Sequence, residues 1–172
     1  MTILGKSMWK KYNKILVTGC QRSGTRIASE VIAYETGYYR FDENSFGVHS
    51  LEIFEKQLKG HKTGVWHCPA LAYTIHKYSA PDTAIVWMLR NIEDVLASQK
   101  RIDWIGWKSR GEYERYGIQQ TPYNREHMYE FKLWCWETFQ KDMCHNPIEL
   151  EYESLKGHPL WLNENDRHYK TA

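Results

Sequence analysis

Two stretches of this sequence carry residue types and spacings that could handle an anion. The first is Gly19-Cys20-Gln21-Arg22-Ser23-Gly24-Thr25-Arg26, set between the apolar run Lys14–Gly19 and the helically spaced IASEVIA. A glycine-rich turn feeding a helix exposes backbone N–H groups at the positive end of the helix dipole. Ser23 and Thr25 add hydroxyls, and Arg22 and Arg26 add charge. The loop therefore suits a phosphate or sulfate; the plainer alternative is a strand-to-helix turn with solvated arginines. Its glycines are spaced as in G-x-x-x-x-G-K-[ST], but Thr25 and Arg26 stand where that motif has Lys and Ser/Thr. Without the Lys that reaches terminal phosphates, and with Arg26 in place of the Mg²⁺-holding hydroxyl, it is a poor match to Mg-ATP.

The second stretch is VWMLRNIEDVLASQKRI. Arg90 ends an apolar strand-like run, where a guanidinium can grip a phosphate bidentately. Ser98 follows about two helical turns later, roughly 12 Å along the axis. It can meet Arg90 only if the loop folds back over the helix start. The alternative is a salt bridge from Arg90 to Glu93 or Asp94, with Ser98 in solvent. A third candidate is His67, in VWHCPAL, at the end of another short apolar run. Histidine titrates in the range a general base needs, although a lone His is more often a hydrogen-bonded core residue. Glu43 and His49 are weaker candidates for the same role.

These residues must be positioned by the elements around them. Strands are expected at Lys14–Gly19, Gly64–His67, Ala84–Leu89 and Ile148–Tyr152. Helices are expected over Gly24–Thr36, around Leu51–Gly60, Leu71–Tyr78 and Ile92–Ile102, and from the capping Asn124 to about Lys141. Residues 37–49 read as an ordered loop, and 103–123 as a long irregular stretch of the kind that forms lids. Strands alternating with helices predict a single α/β domain over residues 1–172, with a mainly parallel sheet flanked by helices in three layers. Ligands in such sheets bind beyond the carboxyl ends of the strands. There the sequence places the glycine loop, His67-Cys68-Pro69, Arg90, and Glu153-Ser154.

Composition sets the outer limits. A chain of 172 residues with 42% hydrophobic and 26% charged residues suits a globular domain. A net charge of +2 gives no argument for nucleic acid, and no apolar stretch approaches the ~20 residues of a membrane span. The N-terminus is a poor signal peptide. Cys20, Cys68, Cys135 and Cys144 form no CxxC pair, so free thiols in a reducing, cytoplasmic compartment are expected. Cys135, Cys144 and His145 fit no common zinc spacing. With eight Trp and twelve Tyr, aromatic rings serve either the core or a ligand cleft. Trp104, Trp107, Tyr113 and Tyr116 fall in the lid stretch and could stack on an acceptor. At least one of Trp134 and Trp136 must face the core.

Taken together, GCQRSGTR and LRNIEDVLASQ resemble the two cofactor-binding segments of sulfotransferases that use 3′-phosphoadenosine 5′-phosphosulfate (PAPS). VWHCPAL resembles that family's catalytic-His segment, and LEYESLKGHP its late strand. The resemblance runs from Lys14 to about Pro159 and implies the P-loop NTPase-like sulfotransferase fold. It implies that Arg22, Ser23, Gly24, Thr25, Arg26 and Ile27 hold the 5′-phosphosulfate, while Arg90 and Ser98 hold the 3′-phosphate. His67 would be the base, with Arg22 and Arg26 stabilising charge in the transfer. The product would be 3′-phosphoadenosine 5′-phosphate (PAP), no metal would be required, and the acceptor would be a small molecule, carbohydrate or lipid. The sequence departs from the pattern at Val65, where the family often has Lys, and at Arg26, where it has a hydroxyl. The family's late R-K-G segment is not recognisable; Arg167 and Lys170 are the candidates to replace it. The chain is shorter than typical members, which implies a reduced acceptor site or one completed by a second copy in a homodimer. The alternatives from other classes are a P-loop kinase or NTPase and a non-catalytic PAP-binding protein.

Overall fold

In a computed structural model, residues 6–43, 51–105 and 124–161 are described. The lid residues 106–123, together with His49, Arg167 and Lys170, lie outside them. Among the described residues five strands form one sheet: β1 (Lys14–Gly19), β2 (Arg40–Phe41), β3 (Gly64–His67), β4 (Thr83–Leu89) and β5 (Pro147–Glu151). Every pairing is parallel, and the order is β2-β3-β1-β4-β5. β1 is therefore central, with Val17 opposite His67 on one side and Val86 on the other. A strand paired on both edges and covered on both faces is apolar, which explains Ile15, Leu16 and Val17; the buried Thr18 hydroxyl donates to Cys68 O at 3.0 Å.

Alternation along the strands divides the core into two layers. Leu16, Trp66, Ile85 and Trp87 face Phe54 of α3 (Leu51–Gly60), and Trp136 beyond α5 (Arg125–Cys135). The indoles of Trp87 and Trp136 stack with centroids 4.9 Å apart. Trp136 is fully buried, whereas Trp134 is 55% exposed, so one of the pair serves the core as expected. On the opposite face Ile15, Val17, Val65, Val86 and Met88 pack on Trp9 of α1 (Lys6–Trp9) and on Ala28, Val31 and Ile32 of α2 (Thr25–Thr36). α2 stops at Gly37, whose left-handed φ of 74° lets its N–H reach Ala33 O. α4 (Ile92–Arg101) begins at Asn91, whose side chain accepts from the N–H groups of Glu93 and Asp94.

Two sequence expectations change. The helix expected over Leu71–Tyr78 is instead two 3₁₀ turns, Pro69–Leu71 and Ile75–Tyr78. Pro69 suits the first position of a short turn, and the continuously buried Ala70–Thr74 has no amphipathic stripe to sustain a helix. The loop expected over 37–49 contains the edge strand β2, two residues long.

Candidate functional site

The glycine loop closes on itself at the carboxyl end of β1. Ser23 N–H and Ser23 Oγ both bond Cys20 O, at 3.1 and 2.6 Å. The Ser23 hydroxyl is thus buried and turned inward. Arg22 adopts φ 72° and Gly24 φ 99°. Left-handed positions on either side of Ser23, which has no positive φ, point backbone N–H groups toward one side, a nest for an anion. Gly24 is also required sterically: a Cβ there would meet Tyr152 Cδ2 at 2.4 Å. α2 has no side-chain cap, so its first N–H groups open onto the same loop.

Arg22 joins the two sequence stretches. Its Nε donates to Ser98 Oγ at 3.0 Å, and its carbonyl oxygen accepts from Arg90 Nη1 at 2.9 Å. Ser98 is buried, not solvated. Arg90 forms no ion pair with Glu93 or Asp94 among the described residues; its guanidinium lies 4.0 Å above the Tyr152 ring. Its Nε is buried without a hydrogen-bond partner. Tyr152, from the turn Tyr152–Leu155, thus packs against both Gly24 and Arg90. Glu153 pairs with Lys156 and Ser154 Oγ donates to Glu151 O.

His67 ends β3 with 7% of its surface exposed. Its Nε2 is 2.9 Å from Thr25 Oγ1, the hydroxyl that opens α2. Burial holds its pKa below the ordinary 6.5; nearby Asp42 opposes this, while the Arg40 and Arg26 charges add to it. Asp42 Oδ2 is 3.9 Å from His67 Nδ1 and 2.8 Å from Arg40 Nη2. Arg26 is exposed at the helix start, Ile27 is half-buried against the core, and Glu43 is half-buried near Cys68.

Beneath the loop, two side chains brace Gln21. Gln99 Nε2 donates to Gln21 O at 3.0 Å, and Lys132 Nζ donates to Gln21 Oε1. Lys132 is 1% exposed and lies 5.1 Å from the centre of the Tyr73 ring. Cys20 is pushed up to about 11 by burial, with Lys132 opposing. Trp104, expected in the lid, packs beside Tyr129 against Cys20, Val95 and Met128.

The structure therefore gathers Arg22, Thr25, His67, Arg90 and Ser98 around one loop. Sequence reading missed Asp42, Arg40, Lys132 and the role of Tyr152. Lys132 left a signal: it shares a buried helical stripe with Met128 and Cys135, where an unassisted Lys is rare. No group of His, Cys, Asp and Glu able to hold a metal occurs among the described residues. No described helix is long and apolar enough to cross a membrane.

A five-stranded parallel sheet flanked by helices, with a glycine loop between its central strand and the next helix, is an α/β fold. No family model matches the sequence, and no curated protein matches it. Among solved structures, the chain is similar to shikimate kinase from Acinetobacter baumannii in complex with shikimate. Identity is 15%, coverage is 84% of this chain and 87% of that chain, and the TM-score is 0.49. Likeness at that level transfers no activity.

Proposed function

We propose that the chain is a PAPS-dependent sulfotransferase, moving a sulfuryl group to a hydroxyl or amine of a small-molecule, carbohydrate or lipid acceptor. The observation that carries this reading is the 2.9 Å contact between His67 Nε2 and Thr25 Oγ1. It sets a candidate base against the helix end that would bind the donor's sulfate. The site fits an anionic nucleotide. Arg90 keeps a buried Nε without a partner, and Arg22 and Arg90 bring two cations to one turn.

PAPS supplies an activated sulfuryl group and an anionic leaving phosphate. On this reading the first-turn N–H groups, Thr25 and Arg22 bind its 5′ end, while Arg90 and Ser98 bind its 3′-phosphate. Arg26 adds positive charge at the helix start; Ile27 contributes its N–H. With PAPS bound, His67 Nε2 would take the proton of the attacking acceptor hydroxyl or amine, and Arg22, Arg26 and the first-turn N–H groups would offset the charge left on the departing phosphate. Free thiols at all four cysteines suit a reducing, cytoplasmic setting. Arg167 and Lys170, and a homodimer that completes the acceptor site, remain part of the proposal.

The second reading is phosphoryl transfer from Mg-ATP, which would use the same loop and sheet. Thr25 stands at the expected Lys, and its hydroxyl is directed to His67, so the sulfotransfer reading is preferred. Thermal unfolding with PAP, beside Mg-ATP, separates the two. At 100 times Kd a ligand adds about 2.7 kcal/mol, or roughly 5–11 °C for a domain this size. A shift with PAP that Arg90→Ala abolishes supports the donor assignment, and sulfate transfer from PAPS in an acceptor screen completes it. A shift with Mg-ATP alone would move the protein to the kinase class. PAP binding without transfer to any acceptor would make it a non-catalytic PAP-binding protein.

A further inference from the structure

We propose that Asp42, clamped by Arg40, is the positioning residue of His67: it holds the ring proton on Nδ1 and leaves the Nε2 lone pair facing the glycine loop. The catalytic consequence rests on the sulfotransfer reading; the tautomer does not.

A neutral imidazole has one N–H and one acceptor nitrogen. A threonine hydroxyl can donate or accept, so the Thr25–His67 contact fits either tautomer. The other nitrogen decides. Nδ1 is buried without a hydrogen-bond partner and faces Asp42 Oδ2 at 3.9 Å. A bare lone pair there would oppose a carboxylate oxygen. An N–H there is attracted to it, although 3.9 Å is too long for a direct hydrogen bond. The Thr25 hydroxyl must then donate to Nε2, the lone pair a general base needs.

The carboxylate is itself held in place. Arg40 Nη2 contacts Asp42 Oδ2 at 2.8 Å, and Arg40 Nε donates to Ser29 Oγ at 2.7 Å. Ser29 Oγ in turn donates to Arg26 O at 2.6 Å. Asp42 is thereby tied to the first turn of α2, the turn that would bind the donor. The charged groups acting on His67 are Arg40 and Asp42 beside β2, and Arg26 on α2. Glu43 acts on the adjacent Cys68 thiol. A proton arriving at Nε2 creates an imidazolium beside two arginines, and Asp42 supplies the negative charge that offsets them.

Long-range ¹H–¹⁵N correlation spectra of His67 test this in the full chain, in the wild type and in Asp42→Ala and Asp42→Glu. The wild type should show the Nδ1–H tautomer. Asp42→Ala should shift the population toward Nε2–H and lower the His67 titration midpoint, and Asp42→Glu should restore both. In sulfate transfer, Asp42→Ala should lower kcat roughly tenfold, a part of the ~10²–10⁴ that a general base contributes. PAP affinity should stay unchanged. An Nε2–H tautomer in the wild type, or identical tautomer and titration in Asp42→Ala, overturns the proposal. If the spectra behave as expected while PAP fails to bind, the Asp42 assignment holds and the donor reading is the part that fails.

Discussion

Gly24→Ala should be among the most damaging single-methyl changes in the protein. Two separate costs meet at this position. The backbone sits at φ 99°, a region disfavoured for an L-residue by roughly 1–2 kcal/mol. The new Cβ would also lie 2.4 Å from Tyr152 Cδ2 and 3.0 Å from Cε2. Relieving that overlap means moving a ring buried to 4% exposure, and overpacking of this kind costs about 1–3 kcal/mol. The sum is about 2–5 kcal/mol, a fall in Tm of roughly 4–20 °C for a domain this size. The Tyr152 ring also carries the Arg90 guanidinium at 4.0 Å, so displacing it should weaken PAP binding beyond the loss of stability. Urea unfolding of Gly24→Ala, Tyr152→Ala and the double variant forms a thermodynamic cycle. The steric part should vanish when Tyr152 is already absent, leaving the backbone part. A Gly24→Ala variant within 0.5 kcal/mol of wild type, or strictly additive substitutions, would refute the argument.

Ser98→Ala removes the buried acceptor of Arg22 Nε; a hydrogen bond to a charged group contributes about 1.5–3 kcal/mol. PAP binding measured by calorimetry should weaken about tenfold or more as Arg22 loses its support. His67 is held below its ordinary 6.5 by burial, so the unfolded chain binds this proton more readily than the fold does. Stability should therefore be fully present above 6.5 and fall as pH drops below it toward the folded value; in urea midpoints against pH, His67→Gln should lose that slope. Trp136→Ala breaks the buried stack with Trp87 and should cost about 3–5 kcal/mol in denaturant unfolding. Cys20 and Cys68 are fully buried thiols with raised pKa values, so maleimide should label half-buried Cys144 before either, as peptide mapping would show.

The sequence made the central strands legible because β1 and β4 are continuous apolar runs, which leave few other ways to be buried. It also supplied both halves of the site, since Arg22 and Arg90 follow those strands directly. It did not show how the halves meet. Ser98 lies two turns into α4, and Arg22 reaches it only because the loop takes a left-handed turn at Arg22 itself, a conformation no residue type announced. Asp42 was hidden for a different reason. The strand before it has two residues, too few for any period, so Glu43 and His49 drew attention and their neighbour did not. The turn at Pro69–Leu71 escaped because a fully buried segment carries no amphipathic signature, and the four-residue turn at Ile75–Tyr78 is too short to show a helical period. The π turn at Trp136–Gln140 continues a helical pattern that the sequence reads as uninterrupted.

The central place of β1 also has a consequence for how the chain acquires its structure. Both neighbours of β1 come from later in the sequence, β3 at 64–67 and β4 at 83–89. During synthesis the first strand emerges with two bare edges and can pair with neither neighbour until Gly64–His67 has followed. The glycine loop waits longer still, because Ser98 is at the end of α4 and the ring under Gly24 belongs to Tyr152. Such pairings carry a high loop-closure entropy and form slowly. The ligand site is accordingly completed late, and a ligand that recognises it would distinguish chains that include Tyr152 from shorter intermediates that lack it.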